Sequence, residues 1–374
     1  MAKLNAAESI RGIACLAVVF SHLSLTFYPY LHHFDLDQKP ENQWVYMIHH
    51  SPFGFWYSGT AAVFVFFVLS GFVLSYSICR SQNIPKKIEI MAVKRYPRLA
   101  IPVFLSCILA WATKKFVEID ASGVNAWFQS YVDQQLSLGK AIYEGSIGSF
   151  LFAASDSNWV LWTMQIELFG SFLLFLLLFL YQYNKNLFFI ASIAFPVAAY
   201  FKDETFFFGM SSFVIGIYIY LYGKSVKFAV ALPMFIVGLY LAGAHNTSHA
   251  YTWIQRYLGE KTYDYCNFLS GFFIVYSVLM SAKLSDILDK KLFVWLGKLS
   301  FSIYLLHMVM IYLVCVPVFN LLLQAHFSFD LAVTSSIMIC MAVTLFFAHF
   351  YSEYVDSFAI NISNKLAKLL VNKP

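Results

Sequence analysis

Two ionisable side chains stand in the first apolar stretch of the chain, RGIACLAVVFSHLSLTFY at residues 11–28: Arg11 at its start and His22 in its middle. On a helix, their spacing returns to within ~20° of the same face and rises roughly 16 Å. A hydrocarbon core is about 30 Å thick, so with Arg11 at the headgroups His22 lies near mid-membrane. An imidazole can take and return a proton, and an ionisable group at that depth faces a bundle interior or a wet cavity and marks function. Their shared face, with Cys15 and Val18 between them, favours a functional reading. The plain alternative is a topogenic arginine and a histidine bonded to a neighbouring helix.

Four further constellations carry chemistry or shape. Lys94, Arg95 and Arg98 crowd the sequence KRYPR; arginines three apart can fork onto phosphate oxygens, or they express the ordinary basic bias of a membrane protein. Pro97 is expected to break helical continuity beside them. Glu167 is the only acid in NWVLWTMQIELFGS, eight residues in from Trp159, and a lone carboxylate in an apolar run needs a partner. Ser300, Tyr304 and His307 follow i, i+4, i+7 and line one helical stripe, either as glue between helices or as a cavity wall. Ser70-Gly71, amid bulky residues in VFVFFVLSGFVLS, permits close helix approach or a local opening. The six cysteines are scattered singly and no metal-type spacing occurs, so no metal is expected.

Sixty per cent of the 374 residues are hydrophobic and only 12% are charged, about half the charged share of a soluble domain. The expected fold is an all-α polytopic membrane bundle, one domain over 1–374 with no separate soluble domain. Ten spans are expected, at about 11–28, 58–78, 99–117, 159–181, 187–201, 205–222, 228–244, 265–282, 301–323 and 330–352. The first span reads as retained, not cleaved. With both termini cytoplasmic, inside segments hold eighteen of the 25 lysines and arginines, from Lys3 to Lys373, and the remaining seven lie outside. Placed in this way, the net charge of +5 points to membrane topology and not to nucleic acid. The connection CRSQNIPKKIEIMAVKRYPR is expected to lie along the headgroups as an amphipathic cytoplasmic loop. Two long outer loops are expected: 29–57, with His32, His33, His49 and His50, and the polar 118–158. Their aromatics Trp44, Trp56, Tyr57, Trp127 and Trp253 (the last in a later loop) either stack on sugar faces or form an interfacial belt. No internal repeat is evident.

As an ordered set these motifs resemble the bacterial acyltransferase-3 membrane proteins. The set comprises arginine then histidine in the first span, FFVLSGF in the second, Arg-x-x-Arg before the third, Trp-x-x-x-x-Glu at the fourth and LSFSIYLLH near the end. The resemblance covers nearly the whole chain. It implies a bacterial inner-membrane enzyme that carries acetyl or another short acyl group from cytoplasmic acyl-CoA to a sugar hydroxyl of an envelope polysaccharide or lipopolysaccharide. It implies that His22 is the catalytic histidine, that Arg11 belongs to the same motif, that Arg95 and Arg98 help hold the donor, and that Glu167 is the acidic partner. The soluble hydrolase-like domain that follows the tenth span in some members is not expected here, so the bundle itself would serve the acceptor. On this reading His22 acts as general base or as transient acyl carrier, and Glu167 orients its ring or stabilises the imidazolium. Arg11, Lys94, Arg95 and Arg98 bind the donor's phosphates, while Ser70, Trp159, Ser300, Tyr304 and His307 line the cavity among membrane lipids. The rival reading is a transporter or flippase for an anionic or lipid-linked solute, whose inverted halves are not found.

Overall fold

The computed structural model describes residues 2–34 and 37–371, all helix and connection without a strand among them. Lys373 and the side chain of Lys3, both counted in the charge asymmetry, lie outside the described residues. The main helices are α1 (Ala2–Phe27), α2 (Gly59–Cys79), α3 (Ile84–Phe116), α4 (Thr163–Tyr183), α5 (Lys185–Tyr200) and α6 (Glu204–Tyr222). They continue with α7 (Phe228–Ala242), α8 (Thr262–Met280), α9 (Lys291–Met310), α10 (Phe329–Tyr351) and α11 (Ser357–Val371). The protein is an all-α polytopic membrane protein. Seven helical runs are long and apolar enough to cross a bilayer, those built on α1, α2, α3, α4, α6, α9 and α10. An eighth, ending in α8, bends by 97° into Ala282–Leu288. α5 and α7, at 16 and 15 residues, are apolar but shorter.

Capping side chains fix several starts. Ser58 accepts from the Ala61 amide at the head of α2, Asn83 from Lys86 at α3, and Asp203 from Phe206 at α6. Gly71 has the packing role its neighbourhood suggested: a Cβ there would lie 2.3 Å from the Phe213 carbonyl, so α2 and α6 meet backbone to backbone.

Two expectations about α3 are corrected. The basic stretch before the third span is no separate surface loop, because residues 84–98 form the first half of a single 33-residue helix. Pro97 and Pro102 both lie inside that helix without ending it. Membrane helices tolerate such prolines because neighbouring helices and local adjustment can take up the carbonyls that a proline frees.

The 118–158 connection is more than a surface loop. Its segment 138–151, one continuous helical run with a π-helical stretch at Glu144–Gly148, packs along α3. A Cβ on Gly145 would sit 2.8 Å from the Phe104 Cα, twelve residues (about 18 Å) from the end of α3. Tyr96 donates its hydroxyl to the Ser146 carbonyl at 2.5 Å. Ile142, Ile147, Leu151 and Phe152 are exposed on its outer side. The 29–57 connection gathers its four histidines against His245 and His249. His49 lies 5.3 Å, centroid to centroid, from both His33 and His245, and His50 stacks on His249 at 4.0 Å.

Candidate active site

α1 and α9 run parallel and in register, and that register builds the site. A Cβ on Gly12 would lie 2.6 Å from the Gly297 amide, so the two backbones touch there. One turn on, Cys15 donates to the Ser300 carbonyl at 3.1 Å. Two turns further, His22 Nδ1 lies 2.9 Å from His307 Nε2. Each pair is separated by the same 285 positions. The signal was present as a shared spacing: Gly12-x2-Cys15-x6-His22 matches Gly297-x2-Ser300-x6-His307.

The hydrogen-bond pattern assigns the tautomers. His307 Nδ1 lies 3.2 Å from the Ile303 carbonyl, which only accepts, so that nitrogen carries the proton. A neutral His307 then offers its Nε2 lone pair to the His22 Nδ1–H. His22 Nε2 is left with a free lone pair; it has no partner among the described residues and is not sealed from solvent. The ring itself is held between His307, at 5.0 Å, and the indole of Trp127, at 5.5 Å and within 10° of parallel.

Glu167, expected to orient His22, has another partner. Its carboxylate pairs with the Arg95 guanidinium and accepts from Ser70 Oγ at 2.8 Å, while Arg95 Nε donates to Ser171 Oγ at 2.7 Å. This pair is only 11% and 15% exposed. The ring nitrogen that meets His22 belongs to His307, which the sequence reads as helix glue or cavity wall. Two of the other expected cavity residues serve packing: Ser300 Oγ turns back to the Gly297 carbonyl, and Tyr304 OH reaches the Val160 carbonyl at 2.7 Å and Thr163 at 2.8 Å. Trp159 donates to Gln134 at 3.1 Å and sets its edge against Trp127.

The basic residues do converge. Arg98 feels the charges of Arg95, Arg11, Asp356 and Glu8, and Lys94 those of Arg98 and Lys87. Arg11 is paired with Glu8 at 2.9 Å on its own helix. Lys94 and the exposed Arg98 make no hydrogen bond or ion pair among the described residues, so they suit an anionic ligand. No group of three or more metal-ligating side chains is gathered among the described residues.

A family model described as an acyltransferase domain matches residues 4–355 of the chain. Neither the curated proteins nor the solved structures gave a match.

Proposed function

Since the chain belongs to the acyltransferase-3 family, we propose that it transfers an acyl group, acetyl in the first instance, from acyl-CoA to a sugar hydroxyl of an envelope glycan, with His22 Nε2 as general base. The observation that carries this is the His22–His307 pair, which leaves one accessible ring nitrogen unprotonated and fixes its direction. A sugar hydroxyl is a poor nucleophile at neutral pH until a base in contact takes its proton. The hydroxyl oxygen then bonds to the thioester carbon, the carbon–sulfur bond breaks, and the proton passes to the leaving thiolate. His307 shares the positive charge that His22 acquires, the part an acid plays in an acid–histidine pair.

The donor's phosphates are assigned to Lys94 and Arg98, with Arg11 adding field. Arg95 sits between this cluster and the core, held by Glu167. On this reading the α3 basic end, both chain termini and the donor lie on the cytoplasmic side of a bacterial inner membrane, in a ten-span topology in which α5 and α7 also cross.

The test uses purified protein with labelled acetyl-CoA and an envelope glycan fraction as acceptor. His22→Ala is expected to abolish transfer while the protein remains folded. His307→Gln is expected to lower kcat on the order of 10²-fold and alter the pH–rate profile, with donor KM little changed. Full transfer by His22→Ala would remove the base from the mechanism.

A further inference from the structure

The transfer proposed above turns a neutral imidazole into a cation inside an apolar bundle, where less water is at hand to solvate it. An imidazolium so placed calls for negative charge beside it. Glu167, the acid of the core, is committed to Arg95, and the titratable groups whose charge reaches His22 are themselves imidazoles, His307 and His32. What His22 does have is the indole of Trp127, with ring centroids 5.5 Å apart and planes within 10° of parallel. The face of an aromatic ring is its negative side, tryptophan's most of all, and a cation within about 6 Å of the centroid is drawn to it. Stacking on the face leaves the in-plane lone pair of Nε2 open to the acceptor hydroxyl, so the indole can hold the charge without obstructing the base.

The indole is held in place by its own neighbours. Trp127 stands in the first turn of the helix Ala126–Asp133. Asn125 Oδ1 caps the Trp127 amide at 2.8 Å, the Asn125 amide donates to the Thr26 carbonyl at 2.9 Å, one turn beyond His22 on α1, and Trp159 meets the indole edge-on at 5.1 Å. The ring is therefore in position before the charge forms, and no rearrangement is needed when it does. Resting on the acyl-transfer reading above, we propose that Trp127 is a positioning residue that acts through His22. Its π face stabilises the imidazolium formed when Nε2 takes the proton of the sugar hydroxyl, and the ring returns to neutral when that proton passes to the thiolate. The contact is stronger with the cation than with the neutral ring, so it speeds the chemical step and leaves substrate binding alone.

The experiment replaces Trp127 in the purified protein with tryptophans carrying one to four fluorines, which weaken the π face stepwise and keep the shape of the ring. The single-turnover rate of transfer and both KM values are measured with labelled acetyl-CoA and the glycan fraction. The logarithm of the rate is expected to fall in step with the number of fluorines, to a loss on the order of tenfold at four, with donor and acceptor KM unchanged. Trp127→Phe, which keeps a weaker π face, should lie between the wild type and Trp127→Leu, which keeps apolar bulk alone. A rate that stays flat across the fluorinated series overturns the proposal, because shape alone then accounts for the stack. An acceptor KM that climbs with fluorination while the rate holds overturns it too, since the indole would then be holding sugar and not charge. A wild type that transfers nothing, or a His22→Ala that still transfers, sinks the transferase reading and this proposal with it.

Discussion

The Arg95–Glu167 pair shows how a residue picked for one role comes to hold another. A guanidinium and a carboxylate placed this deep are costly alone and tolerable together, because each supplies the charge and hydrogen bonds the other lost with water. Removing one partner leaves the second uncompensated, a loss of about 3–5 kcal/mol for a buried pair. Glu167→Gln and Arg95→Met singly should therefore lower the melting temperature of the detergent-solubilised protein, and the joint replacement should regain much of the loss. If the two effects simply add, the residues do not depend on each other. Arg98→Ala, by contrast, should leave melting unchanged and raise the apparent KM for acyl-CoA, since its side chain is exposed and uncommitted.

At the scale of elements, the parallel pairing of α1 and α9 decides where the base points. One residue inserted into α1 between Gly12 and His22 turns the imidazole by about 100° and carries it about 1.5 Å along the axis, out of reach of His307. Transfer should then be lost. A matching insertion between Gly297 and His307 should recover a measurable part of it, and a failure to recover would mean that the pairing is incidental. The sequence singled out His22 as the ionisable group inside the first apolar span, because composition and periodicity act within one element. It left His307 between helix glue and cavity wall because the contact spans 285 positions, and only the shared Gly-x2-small-x6-His spacing marks it. Glu167 was legible as needing a partner, yet the choice of Arg95 over His22 depends on how α3 and α4 pack, which no local pattern encodes. The 138–151 helix escaped notice because its polar flanks masked a short apolar run, too brief to read as a span.

For the whole molecule, the histidine cluster ties the 29–57 connection to the segment after α7. Burial and like neighbours lower His49 to about 4 and His245 to about 2, and burial lowers His32 to about 4, so all three sit neutral in the fold. A histidine whose folded value lies below its ordinary value, about 6.5, contributes its full stability above that value. That contribution falls away as the pH drops from about 6.5 toward 4, where the unfolded chain binds protons the folded one refuses. The melting temperature should accordingly decline across this window, with a shallower slope in His49→Gln. A flat profile would mean that the cluster carries no such load.

The length of α3 has a consequence for the acyl-CoA donor proposed above. At 33 residues it extends about 50 Å, some 20 Å more than the oily layer is deep. Tilt absorbs part of the excess, and the remainder lifts Lys86, Lys87 and Lys94 toward bulk water. On that proposal a nucleotide caught there would keep most of its hydration, and only the slender, uncharged arm bearing the thioester would have to leave the aqueous phase. The most expensive part of the molecule to dehydrate never makes the journey.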